Sequence, residues 1–362
     1  MIHYIKAMRS LREELPTLAL LILCYLGFAA VSIGSSTVGP IATALILSVF
    51  VALHASLQHE ILHGHPFKNQ FWNDVLVFPA IGIFVPYQRF RDTHLDHHKD
   101  PNLTDPYDDP ESNFLDPQKW DRLSGVAKRL YDFNNTLVGR MTVGPALGLW
   151  HFYVHDIRAI LGGQARVLAA YVLHAGGLVL VGMWWAIWAS APFWTLLAAA
   201  YGGMSILKIR TFLEHRAHER AAARTVVIED RGLLALLFLN NNFHSVHHAH
   251  PKIAWHKLPA VFQSRREEFM RRNDAYYYRS YAEIFRLYFL HVKDPVAHPL
   301  MRSARGNPGN IILPIPAVET MDIVEKDHAD VRQLADVRPT RVDPGAWGLL
   351  GADPDQSGKE GH

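Results

Sequence analysis

The chain has 362 residues, of which 49% are hydrophobic and only 19% are charged, and its formal net charge is +2. This composition excludes a disordered chain and a strongly basic protein that binds nucleic acid. The single cysteine, Cys24, excludes a disulfide scaffold and a cysteine-based metal cluster. Histidine, in contrast, is abundant, with 22 residues.

Two stretches of more than 40 residues, 15–59 and 167–207, contain no Asp, Glu, Lys or Arg. Each is long enough for two membrane-spanning helices, and each is interrupted near its middle, at Pro40 and at Pro192. The sequence therefore predicts an all-α membrane protein with two transmembrane helical hairpins. The four predicted spans are 15–34, 40–58, 167–188 and 192–209.

Lys and Arg residues flank the outer ends of both hairpins, and neither hairpin turn contains one. Because cytoplasmic loops are enriched in positive charge, both termini and the middle segment are predicted to be cytoplasmic. Residues 1–302 are assigned to an integral-membrane domain. Residues 303–362, rich in Gly, Pro and Asp, are predicted to form a loosely ordered cytosolic tail. Two apolar segments, 75–87 and 233–239, are too short to span and are predicted to be re-entrant or interfacial.

Fourteen of the 22 histidines lie within residues 54–98 and 215–256. They include one H-x-x-x-H pair and two H-x-x-H-H triplets, formed by His59 and His63, by His94, His97 and His98, and by His244, His247 and His248. Residues i, i+3 and i+4 share one helix face, so each motif can direct its imidazoles to one point. His215, just after the fourth predicted span, is a further candidate, and His218 is its possible replacement. Nine nitrogen ligands are too many for one ion with about four to six positions, so the pattern predicts two metal ions with positions left open for oxygen or water.

At these residues the sequence resembles the membrane fatty acid desaturase superfamily, which includes acyl desaturases, alkane and xylene hydroxylases and carotenoid ketolases. The resemblance covers about residues 40–260 and lies in the order of the three motifs and their contexts, HEILHGH, HLDHHKDP and NNNFHSVHH. It implies four membrane helices, a cytosolic helical cap that carries the histidines, and a centre of two non-haem Fe ions with O2 as co-substrate. His215, in FLEHR, resembles the additional ligand of the hydroxylase and ketolase branches and is also compatible with a desaturase.

The resemblance implies oxidation of an unactivated C–H bond in a long apolar substrate that enters from the membrane lipid. Desaturation of a fatty acyl chain, carried as a lipid, an acyl-CoA or an acyl carrier protein, is the favoured activity. The alternative is hydroxylation or ketolation of a lipid, alkane or carotenoid. The sequence contains no flavin, haem or nicotinamide motif, so a separate carrier such as a ferredoxin, rubredoxin or cytochrome is expected to supply electrons. A basic patch after the third motif is either the docking site of this electron carrier, a contact with lipid or a solvated helix face. The patch consists of Arg265, Arg266, Arg271 and Arg272.

A metal-bound histidine usually donates its second ring N–H to a carboxylate or carbonyl group. The acidic residues adjacent to the motifs are therefore candidate partners of the ligands. They are Glu60, Asp92, Asp96 and Glu214. Asn240, four residues before His244, is a candidate to hold a bound water or to act as a helix cap. The Asp- and Pro-rich run DPNLTDPYDDPES after the second motif has no predicted role.

Two alternatives belong to other functional classes. His59-Glu60-x-x-His63 matches the H-E-x-x-H motif of zinc metalloproteases, in which the glutamate is the general base. An intramembrane protease of this kind would leave both H-x-x-H-H triplets without a role. A metal transporter would place ionisable ligands within its spans, and the predicted spans contain almost none.

Overall fold

The computed structural model describes residues 2–99 and 102–301, so the predicted tail at 303–362 lies outside the described residues. The described part is mostly helical and contains two short parallel strands, in which Val227 pairs with Tyr277. The helices are α1 (Ile2–Ile33), α2 (Ser35–Val38), α3 (Pro40–Leu62), α4 (Gln70–Leu76), α5 (Tyr87–Lys99), α6 (Pro117–Arg122), α7 (Gly125–Asn134), α8 (Leu137–Thr142), α9 (Gly144–Leu161), α10 (Ala165–Trp188), α11 (Phe193–Thr211), α12 (Leu233–Leu237), α13 (His244–Ala249), α14 (Leu258–Ser264), α15 (Arg266–Arg272) and α16 (Tyr281–Tyr288). The strands are β1 (Val227–Ile228) and β2 (Tyr277–Tyr278), and two 3-10 turns lie at Ala221–Ala223 and Trp255–Lys257.

Three helices are long and apolar enough to cross a membrane, namely Arg12–Ile33 within α1, α3 and α10. The shortest has 22 residues, which at 1.5 Å per residue extend over about 33 Å, close to the thickness of a hydrocarbon core. These helices lie at the first three predicted spans. Their outer faces expose large apolar side chains, such as Ile41 and Val172, as expected for helices that contact lipid.

Helix α11 lies at the fourth predicted span but is not among the three helices that are long and apolar enough to cross a membrane. Two glycines, a lysine and an arginine lower its hydropathy. The glycines face α3, and a Cβ atom at Gly203 would overlap the side chain of Val51. Small residues allow helices to approach closely in a membrane. The close contact of α11 with α3 is therefore observed, whereas its crossing of the membrane stays a prediction.

The first segment predicted to be re-entrant, 75–87, contains the last two residues of α4 and then irregular chain as far as the first residue of α5. The ring Nε2 of His174 lies 2.9 Å from the carbonyl oxygen of Ile83, and a Cβ atom at Gly177 would lie 2.5 Å from the carbonyl oxygen of Phe78. Because His174 and Gly177 are near the middle of α10, this irregular chain packs beside the central part of an apolar helix. That position supports a re-entrant segment. The second such segment forms α12, in which Leu233 is exposed.

The elements that follow α11 enclose an apolar core of their own. Phe243, Phe262 and Phe269 are almost completely buried and pack against β1 and α13. A backbone hydrogen bond fixes α13 beside the start of the same strand, because the N–H of Ser245 donates at 2.9 Å to the carbonyl of Val226, the residue before β1. This core holds the third histidine motif in a defined position relative to the strand.

A buried ion pair holds α5, which carries the second histidine motif, against α9. The Nε and Nη2 atoms of Arg89 donate to the two carboxylate oxygens of Asp156 at 2.9 and 2.8 Å. The two residues are 8% and 1% exposed. The hydroxyl of Tyr171 on α10 donates to the same carboxylate at 3.1 Å. The pair therefore connects three helices.

Removal of one member of a buried ion pair leaves an uncompensated charge and typically costs about 3–5 kcal/mol. We expect Asp156→Ala to lower the free energy of unfolding by about 3 kcal/mol, measured by thermal denaturation of the purified protein in detergent. The double variant Arg89→Met/Asp156→Leu should regain part of this loss, and Asp132→Ala, at an exposed position, is the control. An unfolding temperature of Asp156→Ala equal to that of the control would contradict the expectation.

Candidate metal centre

The first motif lies at the end of α3. His59 belongs to the last turn of the helix and His63 is its C-cap residue, four positions later. Both rings therefore lie on the same side of the helix, with their centroids 5.1 Å apart. The two residues are 4% and 9% exposed, so the imidazoles are removed from solvent.

The second motif lies in the last two turns of α5 and points in two directions. His94 and His98 are one helical turn apart, and their Nε2 atoms are separated by 3.0 Å. The Nε2 atom of His97 lies instead 3.0 Å from the Nε2 atom of His215, which follows the end of α11. One helix thus supplies histidines to two separate points.

The third motif forms α13 and divides in the same way. The Nε2 atom of His247 is 3.1 Å from that of His98. The Nε2 atom of His244 is 3.1 Å from that of His215, and His248 stacks on His98 with a centroid distance of 4.2 Å. The turn before α13 places Leu239 and Asn240 at positive φ, which brings the chain from α12 sharply into the helix.

The structure brings all nine histidines predicted as ligands together in two groups. Within each group, one possible ligand atom of every residue lies within 4.8 Å of the others. The first group is His59, His63, His94, His98 and His247, and the second is His97, His215, His244 and His248.

The nine rings fit two metal ions. The Nε2 atoms of His59, His63 and His248 are buried and have no hydrogen-bond partner within residues 2–99 and 102–301, as expected for atoms that face a cation. Two nitrogens that bind one ion at about 2.1 Å and at right angles are about 3.0 Å apart, close to the observed Nε2 separations. Burial also lowers the pKa of several rings well below its usual value, which favours the neutral form that binds metal. These rings are His98, His215, His244, His247 and His248.

Two carboxylates from the Asp- and Pro-rich run hold the second motif. The Nδ1 atom of His97 donates to Asp109 at 2.7 Å, and the Nδ1 atom of His94 donates to Glu111 at 2.8 Å. The other carboxylate oxygen of Asp109 accepts from the backbone N–H of Thr104 at 2.7 Å, which fixes its orientation. Each bond occupies Nδ1 and leaves Nε2 of the same ring available for a metal. No role was predicted for this run from the sequence, so these two partners were missed.

The carboxylates and the imidazoles also shift the pKa values of one another. Burial lowers the pKa of His97, but Glu111 and Asp109 outweigh burial and raise it to about 9. Burial acts to raise the pKa of Glu111, but the imidazoles of His94 and His97 outweigh burial and hold this pKa well below its usual value. Glu111 is therefore ionised and partly compensates the charge of a bound cation.

Among the acidic residues predicted to bond to the metal ligands, Glu214 lies nearest to a ligand histidine. Its Oε1 atom lies 3.7 Å from Nδ1 of His244 and accepts a hydrogen bond from the amide of Asn241 at 2.9 Å. The amide oxygen of Asn241 in turn lies 3.3 Å from Nδ1 of His244. Asn241, which no sequence motif singles out, therefore links the carboxylate to the ligand.

The structure corrects the prediction for the other three acidic residues, and it gives Asn240, the candidate to hold a water or to cap a helix, a backbone partner. Glu60 accepts from the backbone N–H of Trp255 at 3.1 Å, and the amide of Asn240 donates to the carbonyl of the same residue at 3.3 Å. Asp92 pairs with Arg166, and the exposed Asp96 pairs with Lys99. Residues next to a ligand in a helix point about 100° away from it, so adjacency in sequence did not place these groups beside an imidazole.

Two other histidines near the motifs lie outside both groups. His218, the possible replacement for His215, pairs with Asp274 at 3.3 Å. His65 donates from Nδ1 to Glu14 at 3.0 Å, and its Nε2 atom lies 3.2 Å from the carbonyl oxygen of Lys252. His65 thereby connects α1 to the chain that follows α13, and His215 is the residue that completes the second group.

The comparison with protein families agrees with this geometry. The family model described as Fatty acid desaturase matches residues 35–281, which is more than half of the chain and includes all nine grouped histidines. No curated protein matches the sequence. A match of this length, over a chain whose three motifs meet in two histidine groups, identifies the family: the protein belongs to the fatty acid desaturase family.

Proposed function

We propose that the protein is an integral-membrane oxidoreductase that uses two non-haem iron ions and O2 to introduce a double bond into a lipid acyl chain. The observation that carries the proposal is the meeting of nine histidines in one group of five and one group of four. Membership in the desaturase family and three helices able to cross a membrane support it.

The two histidine groups would each hold one iron ion. Bound iron supplies the activation of O2 that a saturated carbon chain requires, chemistry that side chains alone do not provide. The protein's own groups hold and orient the ions, because Asp109 and Glu111 fix the rings of His97 and His94. Burial of the imidazoles keeps water away from the place where a C–H bond would react. The substrate, an acyl lipid, acyl-CoA or acyl carrier protein, would present its chain from the lipid side.

Electrons would come from a separate ferredoxin, rubredoxin or cytochrome. In the basic patch, Arg265 pairs with Glu268 and Arg266 pairs with Glu229, so two of its four arginines already have acidic partners. This pairing leaves Arg271 and Arg272 as the stronger candidates to contact an acidic carrier. The proposed topology places both termini and the histidine motifs on the cytoplasmic side, in accordance with the positive charges that flank the hairpins.

Hydroxylation or ketolation of a lipid, alkane or carotenoid is the second candidate. The observation that favours it is the position of His215, whose Nε2 atom lies 3.0 and 3.1 Å from those of His97 and His244. The chain therefore has the additional histidine that its sequence shares with the hydroxylase and ketolase branches.

The protease alternative has less support. In a zinc protease of the H-E-x-x-H type, Glu60 would act on a water at the metal. Its carboxylate instead accepts from Trp255 and lies 3.8 Å from Nε2 of His65. His59 and His63 also share their group with three further histidines, which a single zinc would not need.

Mass spectrometry of lipids from cells that express the chain tests the activity. We expect a new lipid that lacks two hydrogens, and the variant His97→Ala, produced at the same level in the membrane, should not form it. A lipid that has gained one oxygen would favour the hydroxylase. No oxidised lipid in cells that contain the iron-loaded protein and a competent electron carrier would contradict both activities.

A further inference from the structure

A small cavity lies between α3, the irregular chain after α4, the start of α5, and α10. Apolar residues line part of its wall, and the polar side chains of Gln58, Tyr87, Gln88 and His174 line the rest. Leu173, another lining residue, is 47% exposed on the outer face of α10. The cavity therefore lies close to the surface of the apolar helices that faces lipid.

The two glutamines of this cavity differ from the other polar groups around it. Neither amide has a hydrogen-bond partner in the part of the chain that the structure describes, residues 2–99 and 102–301. The ring of His174, in contrast, is bonded to the carbonyl of Ile83. Both glutamines are half-buried, and an amide that is partly withdrawn from water without a hydrogen-bond partner is unfavourable. Two such amides at one cavity point to a ligand that would complete their hydrogen bonds.

The cavity borders the two helices that carry the first and second histidine motifs. Gln58 directly precedes His59 on α3. Gln88 lies six residues before His94 on α5, which corresponds to about 9 Å along the helix axis. A group held by both amides would therefore lie beside the two helices that supply four of the five histidines of the first group.

We propose that Gln58 and Gln88 bind a single uncharged oxygen function, a carbonyl or a hydroxyl, on an otherwise apolar substrate. The inference rests on the proposed function and specifies a feature of its substrate, an uncharged oxygen function on the apolar chain. A side-chain amide donates to a carbonyl and both donates to and accepts from a hydroxyl. The small cavity holds one such group, and the remaining chain would lie along the exposed face of α10. The described residues of its wall include no Lys or Arg, so a carboxylate or phosphate is not matched.

Binding to the purified, metal-loaded full chain in detergent tests the proposal without turnover. The probes are dodecane, dodecan-1-ol and methyl dodecanoate, and the readout is the rise in unfolding temperature with probe concentration. We expect one or both oxygen-containing probes to bind the wild type at least about tenfold more tightly than dodecane, the contribution of about one to two hydrogen bonds. A preference for the alcohol identifies a hydroxyl, and a preference for the ester identifies a carbonyl.

Gln58→Leu and Gln88→Leu should each reduce this preference several-fold, and Gln164→Leu, at an exposed position before α10, should keep it. Equal affinity of the wild type for all three probes would overturn the proposal, since the cavity would then hold only water. An unchanged preference in both cavity variants would overturn it as well. The comparison of the three probes on the wild-type protein tests the proposal even if a variant does not fold. Because metal content and lipid products are measured separately, a failed oxidation assay is distinguishable from a failed prediction of binding.

Discussion

Replacement of His247 by Ala is expected to abolish oxidation of the substrate and to remove one metal ion per chain. His247 lies at the centre of the first group, with its Nε2 atom 3.1 Å from that of His98 and its ring centroid 4.7 Å from those of His59 and His63. Loss of a partner that only orients a ligand reduces metal affinity or activity about 10–100-fold, so loss of the ligand itself should exceed about 100-fold. The apolar helices do not depend on this ring, and the variant should remain in the membrane fraction.

The comparison requires lipid products, metal per chain and the amount of protein in the membrane, measured on the same preparations. His151→Ala is the matched control, because His151 is exposed on α9 and bonds to the hydroxyl of Tyr131 rather than to another histidine. The control should keep full activity and both ions. If the His247→Ala variant also kept full activity and both ions, His247 would not be a metal ligand.

The second large effect is expected at Asp109. Its carboxylate accepts from the Nδ1 atom of His97 and from the backbone N–H of Thr104, and it is 5% exposed. Asp109→Ala leaves these donors, and also the backbone N–H of Glu111, without this acceptor and frees the ring of His97 to rotate. We expect the affinity of the second group for its metal to fall about 10–100-fold, while the first group keeps its ion. Titration with a chelator, followed by analysis of the metal that remains, measures the loss.

Asp108 provides the matched control for this experiment. It is adjacent to Asp109 in the chain, but it is exposed and accepts only from the side chain of Asn102 among the bonds described. Asp108→Ala should release metal as the wild type does, and Asp109→Asn, which keeps a side-chain oxygen, should give an intermediate affinity. Identical chelator curves for Asp109→Ala and the wild type would show that the bond to His97 does not support the metal site.

The spacing of the histidines was sufficient to predict which residues come together. Residues i and i+4 of a helix are about 40° apart around its axis, so His94 and His98 meet. The same geometry corrects the expectation that each triplet directs all its imidazoles to one point. His97 is about 100° from His98, and this angle directs it to the second group. The division of both triplets between two groups follows from helix geometry once the partner helices are in place.

The partners of the ligands could not be found from adjacency in the same way. Asp109 and Glu111 follow His97 and His94 by 12 and 17 residues and return to them through an irregular loop. Their position depends on contacts such as that of Thr104 with Asp109, which no helical period encodes. The concentration of acidic residues directly after a histidine triplet was the one sequence signal that pointed to them.

The apolar helices show a similar division between what was predicted and what was not. Three spans were predicted within a few residues because a long apolar stretch without charged residues is typical of a helix that crosses a membrane. The role of α11 depends on its neighbour, since its glycines serve the close contact with α3 at Val51. A hydropathy pattern does not distinguish such a packing helix from one that also crosses the membrane.

Metal analysis of the purified full-length protein tests the central claim most directly. The two histidine groups predict two iron ions per chain after production with iron, and one ion per chain in His247→Ala. A chain that binds a single zinc ion and no iron, with the same content in the His247→Ala variant, would contradict a two-metal oxidative centre.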